Sequence, residues 1–239
     1  MINELKNLLF IDIETVSSHD SYEKLDDRIK PHWDKKAGFL RNEDSLSTEE
    51  LYTDRGAIYS EFGKVIVIAL GVFHQADNGP VSLRVKSLSS HDENELLSGF
   101  KGLLENKFDQ ENLILCAHNG KEFDFPYLSR RMLINQIQLP DILDNAAKKP
   151  WEVRYLDTME MWKFGDRKNF TSLDLLTAIF DVPSSKSDID GSMVNRVYYK
   201  EDGLDRIAQY CAQDVVATAQ LYLRMKCLPI IPQEQIQIV

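Results

Sequence analysis

The sequence contains no apolar run long enough to cross a bilayer. Its longest runs, LLFI at 8–11 and VIVIAL at 65–70, fall well short of the ~20 residues that a membrane-spanning helix needs. The N-terminal MINELKNLLF carries an acid early and lacks a signal-type apolar core followed by a small-residue cleavage site. We therefore expect a globular protein of the cytosol that has no membrane partner.

Cysteine is scarce as well. The three cysteines, Cys116, Cys211 and Cys227, form no CxxC pair, and two of them lie in apolar segments. Because metal-binding and redox cysteines usually come in close pairs, this distribution favours simple packing over a metal or redox role.

The chain also lacks an excess of basic residues. Its 239 residues carry a net charge of −10 at pH 7. Generic adhesion to nucleic acid normally requires a basic face, so such adhesion is not expected. An acidic site that handles nucleic acid through bound cations is compatible with this charge. The sequence has no GxxxxGK[ST] motif, which excludes a P-loop enzyme.

Hydrophobic periodicity divides most of the chain into strands and helices. Predicted strands cover 7–13, 62–73, 81–88, 112–119 and the start of 153–160. Predicted helices cover 89–108, 123–134, 172–182 and 202–225. The turn signal DNGP at 77–80 joins the second and third strands into a hairpin. This order predicts an α/β protein whose sheet contains an antiparallel strand and carries helices on its faces.

The domain organisation follows from the absence of repeats, low-complexity tracts and long linkers. We expect a single domain over 1–239 that contains an insertion of unknown role at about 17–61. Within this insertion 21–29 and 47–56 predict short helices, and STEE at 47–50 resembles a capping box. The insertion could form a lid over a site or a contact surface.

Two acids interrupt the first predicted strand, FIDIETV at 10–16. Side chains alternate along a strand, so Asp12 and Glu14 share one face while Ile11 and Ile13 occupy the other. At a separation of ~7 Å two like charges repel by roughly 2–3 kcal/mol, and burial adds to that cost. No Lys or Arg lies within the run. The pair is either an ordinary strand-end feature or part of a site for a divalent cation.

A second polar group occurs in HNGKEFD, where a buried strand leads into a helix. Asp124 is either the cap of that helix or a second part of an acidic site. Asn119 fits an ordinary turn as well as a functional loop. For His118, a hydrogen-bonded structural role is favoured over a role as a base.

The third group, YCAQD, lies on the long helix at 202–225. Tyr210 and Asp214 are four residues apart and therefore project from the same side of the helix. They flank its apolar stripe, so packing of this helix on the sheet would bring an acid and a phenol to the edge of the sheet. Taken alone, the pair could also be a boundary tyrosine and a solvated acid.

These motifs occur in one order: D-x-E on the first strand, N-x-x-x-F-D before a helix, and Y-x-x-x-D on a late helix. Together they resemble the signature motifs of the DEDD superfamily of 3′–5′ exonucleases, and the last resembles its tyrosine subgroup (DEDDy). The histidine subgroup has a His five residues before the final Asp, where this chain has Gln209. The stretches NGKEFD, SLDLLTAIFDVPSSKSDID and YCAQDVVAT are most similar to the exonuclease domain of family B DNA polymerases.

The resemblance covers 7–16 and 62–226 and leaves 17–61 unmatched. The sequence resembles a stand-alone nuclease, similar to predicted bacterial enzymes related to that domain. The resemblance implies a ribonuclease H-like fold, with a mixed, mostly parallel five-stranded sheet that contains one antiparallel strand and has helices on both faces.

The resemblance also implies a metal-dependent 3′–5′ exonuclease that releases nucleoside monophosphates from nucleic acid, with DNA favoured, by means of two Mg²⁺ or Mn²⁺ ions. Asp12 would bridge the two ions. Glu14 and Asp214 would complete the site of the ion that binds the attacking water, and Asp124 would hold the second ion through water. Tyr210 would orient the attacking water, because a phenol with a pKa near 10 is a poor base at neutral pH.

The candidate substrate contacts are Asn119, Phe123 and Lys186. Phe123 is favoured to pack beneath its motif, and Lys186 could equally be a solvated loop lysine. A basic interval interleaved with aromatic residues predicts contact with single-stranded 3′ ends or, as the simpler alternative, a solvated charged face. It comprises Arg130, Arg131, Lys148, Lys149, Arg154, Lys163, Arg167 and Lys168, with Trp151, Tyr155 and Trp162.

Two alternative functions stay open. One keeps the chemistry and changes the substrate to RNA or short oligonucleotides. The other is a catalytically silent nucleic-acid-binding module of the same fold, against which the presence of all four acids and Tyr210 counts. The sequence does not indicate whether a polymerase or a helicase is a partner.

Overall fold

A mixed β-sheet lies at the centre of the computed structural model, which describes residues 5–76, 79–166, 170–183 and 188–239. Its strands are β1 (Leu8–Ser17), β2 (Gly63–Gln75), β3 (Val81–Ser89), β4 (Ile114–Ala117), β5 (Tyr155–Asp157) and β6 (Ile236–Ile238). Their order in the sheet is β5-β4-β1-β2-β3-β6. β2 runs antiparallel to both of its neighbours, whereas the other pairs are parallel.

The predicted sheet with one antiparallel strand is confirmed, and that strand is β2. The described residues contain a sixth strand that the sequence did not reveal. It is β6, which pairs in parallel with β3 through Leu83 and Ile236 at the edge of the sheet. Three residues are too few for an alternating pattern to stand out from their surroundings.

Helices cover both faces of the sheet, as predicted. In chain order they are α1 (Lys30–Ala37), α2 (Thr48–Arg55), α3 (Glu93–Lys107), α4 (Asp124–Ile134), α5 (Thr158–Lys163), α6 (Leu173–Ile179), α7 (Val194–Glu201) and α8 (Leu204–Met225). The side chains of α7 and α8 join one core cluster, and those of α3 and α4 join another on the opposite face. Among the described residues, no helix is long and apolar enough to span a membrane.

The long helix α8 packs closely on β2 because β2 has a glycine at the contact. A Cβ atom on Gly71 would lie 2.5 Å from Cγ1 of Val215, which is closer than real Cβ atoms approach. The glycine therefore permits an approach that any other residue would block. Asp214 precedes Val215, so this contact also sets the depth at which the acid meets the sheet.

The insertion at 17–61 has a small hydrophobic core of its own. Trp33 of α1 is fully buried, and its ring meets those of Tyr52 and Phe62 edge to face at centroid distances of 5.4 and 5.1 Å. The predicted capping box is confirmed, since the Ser47 hydroxyl accepts from the Glu50 amide while Glu50 accepts from the Ser47 amide. The predicted helix at 21–29 is wrong: this stretch contains a 3₁₀ turn at Tyr22–Lys24, and the helix begins later, at Lys30.

Side chains from three elements of the main fold tie the insertion down. The Thr15 hydroxyl of β1 and the Tyr127 hydroxyl of α4 both donate to the Ala57 carbonyl oxygen, each over 2.9 Å. Asn195 of α7 donates to the Thr53 carbonyl oxygen and accepts from the Ser17 amide. The insertion is thus held against the end of β1 that carries the two acids.

The buried Trp33 permits a matched test of how far the insertion stabilises the fold. Trp33→Ala removes a fully buried indole, so we expect the free energy of unfolding to fall by about 3–5 kcal/mol. Trp151→Ala is the control, because Trp151 is 78% exposed and its loss should change stability by no more than ~0.5 kcal/mol. Urea unfolding followed by circular dichroism measures both. Equal effects would show that the insertion core does not support the fold.

Candidate active site

Asp12 and Glu14 lie on the face of β1 that packs against α8. Phe10 and Val16 of the same strand belong to the core cluster formed with α8, whereas Ile11 and Ile13 point into the opposite cluster. The alternation predicted from FIDIETV therefore holds. A register shift after Glu14 interrupts the pairing with β2 at the point where the acids occur.

Asp124 is the first residue of α4, which packs on the opposite face of the sheet from α8, and it also contacts β1. Its Oδ1 accepts a hydrogen bond of 3.1 Å from the amide of Ile13, the residue between the two acids. β4 pairs with β1 at Leu8–Phe10, so the amide of Ile13 lies beyond that pairing and can take a side-chain acceptor. The carboxylate thus joins α4 to β1. The alternative that Asp124 is the cap of its own helix is wrong, because the N-cap position is occupied by Phe123.

Tyr210 and Asp214 come from α8, which lies across β1, β2 and β3. Tyr210 forms a side-chain hydrogen bond with Asp214. Both residues stay partly exposed, whereas Cys211 between them is buried. The structure therefore brings together the residues of all three sequence motifs.

Burial and mutual repulsion raise the pKa values of the two β1 acids. Burial is the largest cause for Asp12, and the charges of its acidic neighbours Asp124, Asp214 and Glu14 add to it, in that order. Burial likewise raises the pKa of Glu14, and the charges of Asp214 and Asp124 follow. Both acids are therefore difficult to ionise without an added cation.

The other two acids are shifted in the same direction. Burial raises the pKa of Asp124 to about 7, although hydrogen bonds from its own amide and that of Ile13 oppose the shift. Burial raises the pKa of Asp214 to about 6 against a hydrogen bond from Tyr210. Burial, followed by the charge of Asp214, also raises the pKa of Tyr210, so its hydroxyl keeps its proton at neutral pH.

Cys211, which the sequence predicted to be a packing residue, is a neighbour of the acids. Its Sγ lies 3.1 Å from Oδ2 of Asp12 and 3.3 Å from the carbonyl oxygen of Asp12, and the thiol donates to them. Donor atoms of Asp12, Glu14 and Cys211 lie within 4.8 Å of one another. Burial raises the pKa of the thiol well above its ordinary value, so it stays protonated beside the carboxylate. The position of Cys211 next to Tyr210 in YCAQD was the feature of the sequence from which its contact with the acids could have been inferred.

The loop that precedes Asp124 is held by a buried acid that the sequence analysis missed. Asp157, at the end of β5, is 1% exposed. Its carboxylate accepts from the amides of Asn119 and Lys121 over 3.0 and 3.1 Å. It also caps α5 by accepting from the amides of Met159 and Glu160. The available signal was an aspartate between a short strand and a helix, in YLDTME.

Asn119 adopts a left-handed backbone conformation in this loop, with φ of 63°. Asparagine tolerates this region better than most residues do. Its side-chain Oδ1 is buried and has no hydrogen-bond partner among the described residues. The close packing of the loop also requires Gly120, where a Cβ would lie 2.3 Å from Cβ of Ala117.

His118 has a structural position, as the sequence favoured. Its Nε2 donates to the Thr171 carbonyl oxygen over 2.9 Å, and Nδ1 lies 2.8 Å from the Thr158 hydroxyl. Burial lowers the pKa of the imidazole, which keeps it neutral. Both ring nitrogens are therefore engaged within the fold.

The structure separates the candidate substrate contacts. Phe123 is partly buried, and its ring centroid lies 5.3 Å from that of Tyr127, so it packs beneath the motif as favoured. Contact of Asn119 or Phe123 with a substrate stays a prediction. Lys186 lies outside the described residues.

The predicted basic interval does not form one surface. Arg131 is buried and pairs with Glu93. Arg154 donates to the carbonyl oxygen of Gln110, and the Tyr155 hydroxyl donates to that of Ile142. The prediction of one continuous surface for nucleic acid is therefore wrong at Arg131, Arg154 and Tyr155, whose polar groups hold the fold together. Arg167 and Lys168 lie outside the described residues.

Comparison with solved structures identifies a fold relative. The chain is similar to part of the family B DNA polymerase from the hyperthermophilic archaeon Pyrobaculum calidifontis, with a TM-score of 0.52 and 17% sequence identity. The likeness covers 90% of this chain and 24% of the polymerase chain. Because the chain spans about a quarter of the polymerase, the likeness shows the fold alone. Comparison with curated proteins gives no match.

A family model supplies the classification. It is described as a predicted 3′–5′ exonuclease related to the exonuclease domain of PolB, and it matches residues 58–231. This range includes Asp124, Tyr210 and Asp214, whereas β1 with its two acids precedes it. The match extends over well more than half of the 239 residues. The chain therefore belongs to the family of predicted 3′–5′ exonucleases related to the exonuclease domain of PolB.

Proposed function

We propose that this chain is a metal-dependent 3′–5′ exonuclease of the tyrosine subgroup that releases nucleoside monophosphates, with DNA as the favoured substrate. The observation that carries the proposal is the convergence of Asp12, Glu14, Asp124 and Asp214, all with raised pKa values, beside the Tyr210 hydroxyl. Membership of the exonuclease family supports the same class of reaction.

The donor set fits hard divalent cations such as Mg²⁺ or Mn²⁺. These cations prefer carboxylate oxygens, and four carboxylates converge here. Burial and repulsion both disfavour the ionised acids, and positive charge in the cluster relieves both. When bound, two such cations would activate a water and neutralise charge on the phosphoryl oxygens and the leaving 3′ oxygen.

The chain's own residues divide the remaining work. Asp12 interacts electrostatically with the other three acids, which supports its proposed role as the residue that would hold both cations. Glu14 and Asp214 would hold one of them, and Asp124, anchored on the Ile13 amide, would hold the other. Tyr210 keeps its proton, so its hydroxyl orients the attacking water and does not act as its base.

The first test is cleavage of end-labelled single-stranded DNA, duplex DNA and RNA in Mg²⁺, Mn²⁺ or EDTA. We expect metal-dependent shortening from the 3′ end, fastest on DNA. Faster cleavage of RNA or short oligonucleotides would change the substrate and keep the chemistry. Binding without shortening of any of them would identify a silent nucleic-acid-binding module.

Variants in the same assay test the assigned roles. Asp12→Ala should lower the rate by at least ~10³-fold while the fold is kept, because neither cation retains its shared ligand. Tyr210→Phe should reduce the rate less, by about 10–100-fold, since the water loses an orienting hydroxyl. Asp44→Ala, which removes an exposed acid from the insertion, is the control. An active Asp12→Ala protein would refute the shared-ligand assignment.

The raised pKa values predict how stability depends on pH and metal. Between about pH 4 and 7 the folded state holds more protons on these acids than the unfolded state does, so their contribution to stability falls as pH rises. In EDTA, Asp124→Asn should therefore raise the Tm at pH 7.5 and have little effect at pH 4.5. Millimolar Mn²⁺ at pH 7.5 should raise the Tm of the unaltered protein, because the ion binds only the folded state.

Thermal scans at the two pH values, with EDTA or Mn²⁺, measure these differences. The metal-dependent shift should be smaller in Asp124→Asn, which has lost one carboxylate. A Tm that does not respond to metal at pH 7.5 would contradict a preformed cation site, whatever the cleavage assay gives.

Asp157 is predicted to act as a positioning residue for Asp124. Asp157→Asn turns an acceptor for four amides into a group that must direct an N–H₂ toward some of them. Since hydrogen bonds to a charged acceptor are each worth roughly 1.5–3 kcal/mol, the loop carrying Asn119 should loosen. We expect about tenfold lower kcat and a higher Mg²⁺ concentration for half-maximal rate. A lower Tm with unchanged Mg²⁺ dependence would restrict Asp157 to capping α5.

A further inference from the structure

A cavity that does not include the four acids lies beside the end of α8. Its volume is ≈ 530 Å³, within the range of small-molecule sites. Aromatic side chains from α5 and the end of α6 line it, namely Trp162, Phe164 and Phe180. Trp162 and Phe180 meet edge to face with centroids 5.7 Å apart. The opposite wall consists of the last residues of α8 and the turn after it, including Arg224 and Lys226.

The two cations of this wall have no acidic partner among the residues that the structure describes. Nε of Arg224 is buried and lacks a hydrogen-bond acceptor within the described ranges. The Lys226 ammonium is exposed and lies 5.8 Å from the ring centroid of Tyr222. Glu160, the acid of the cavity lining, is paired with Lys121 over 2.6 Å. The cavity therefore presents positive charge beside aromatic rings, although the chain as a whole has a net charge of −10.

Phe164 is placed at the mouth of this cavity at a conformational cost. It is 93% exposed and ends α5 in the left-handed region, with φ of 45°. Glycine or asparagine usually occupies such a helix end, and a bulky residue there is strained. Strained backbone positions cluster at functional sites, so an exposed aromatic side chain at such a position is consistent with a binding role.

Two helices connect the cavity with the acid cluster. Asp174, near the start of α6, is close enough to Asp214 to raise the pKa of that acid, and Phe180 just beyond the end of α6 lines the cavity. Arg224 follows Asp214 by ten residues of α8, which corresponds to about 15 Å along the axis. At ~3.4 Å per stacked nucleotide, this distance is about four or five nucleotides.

From these observations we propose that the cavity between α5 and the end of α8 binds a nucleotide of single-stranded nucleic acid, about four or five nucleotides upstream of the 3′ end. The base stacks on Phe164 and Trp162, and the phosphate lies against Arg224 and Lys226. The upstream position of the site rests on the proposed exonuclease function. An acidic peptide with aromatic residues is the competing occupant, and a nucleotide is favoured because the cavity lies within reach of a strand whose end occupies the acid cluster.

The test is oligonucleotide binding in EDTA, where hydrolysis is not required. The probe is a 5′-fluorescein-labelled thymidine 15-mer followed by anisotropy at several salt concentrations. Phe164→Ala should raise the Kd about fivefold or more, as expected for loss of one stacked base. Arg224→Gln should reduce the slope of log K against log salt by about one. Phe39→Ala, which removes an 81% exposed phenylalanine from the insertion, is the matched control and should leave the Kd unchanged.

Photocrosslinking locates the contact. A 5-iododeoxyuridine placed four or five nucleotides from the 3′ end should crosslink to the peptide containing Trp162 and Phe164, and one at the terminal position should not. Equal Kd values for Phe164→Ala and Phe39→Ala, or crosslinks confined to other peptides, would overturn the assignment. The assignment would also be overturned if binding of a ten-residue peptide of alternating Asp and Phe depended on Phe164 while binding of the oligonucleotide did not.

These outcomes are independent of turnover. If the protein binds the oligonucleotide through Phe164 but does not shorten it in Mg²⁺ or Mn²⁺, the assignment of the cavity stands and the proposed function is refuted. If the protein shortens DNA from the 3′ end and Phe164→Ala binds the oligonucleotide equally well, the proposed function stands and the assignment of the cavity is refuted.

Discussion

Repulsion among closely placed carboxylates is the constraint on which the rest of this structure depends. Asp12 and Glu14 on one strand meet Asp124 on one helix and Asp214 on another. Glu14 and Asp124 are buried while the other two are partly exposed, and the neighbouring charges raise the cost of ionising Asp12 and Glu14. A folded chain keeps such an arrangement when surrounding contacts hold the acids in place. The Ile13 amide holds Asp124, the Cys211 thiol contacts Asp12, and the approach of α8 to Gly71 fixes the level of Asp214.

Within the described part of the chain, the contacts that hold these acids come from backbone amides, the Cys211 thiol and the Tyr210 hydroxyl, and none of them brings a Lys or Arg side chain to the cluster. Arg131, a buried cation, is committed to Glu93 and the Ser60 carbonyl oxygen. Compensation of the acids by a fixed internal base would have produced a stable but inert site. The separation of the buried ion pair from the acid cluster keeps the cluster available for mobile cations.

The sequence predicted the parts of the fold that follow from period and capping. Alternation in FIDIETV placed Asp12 and Glu14 on the correct face of β1, and the helical spacing of α8 placed Tyr210 and Asp214 on one side of that helix, because these periods depend on backbone geometry alone. The core of the insertion was not predictable, since Trp33, Tyr52 and Phe62 are far apart in sequence and show no shared period. The part of Asp157 in holding the Asn119 loop was hidden for the same reason, because the two loop amides that it accepts from lie more than thirty residues earlier in the chain.

The hydrogen bond between Asp124 and the Ile13 amide makes the spacing of the cluster a property of the main chain. The first residue of α4 is fastened by its carboxylate to the peptide unit between two other acids, so the backbone of β1 fixes where Asp124 meets the strand. A substitution on the packed face of α4 that preserves this hydrogen bond therefore keeps Asp124 at the same point on the strand.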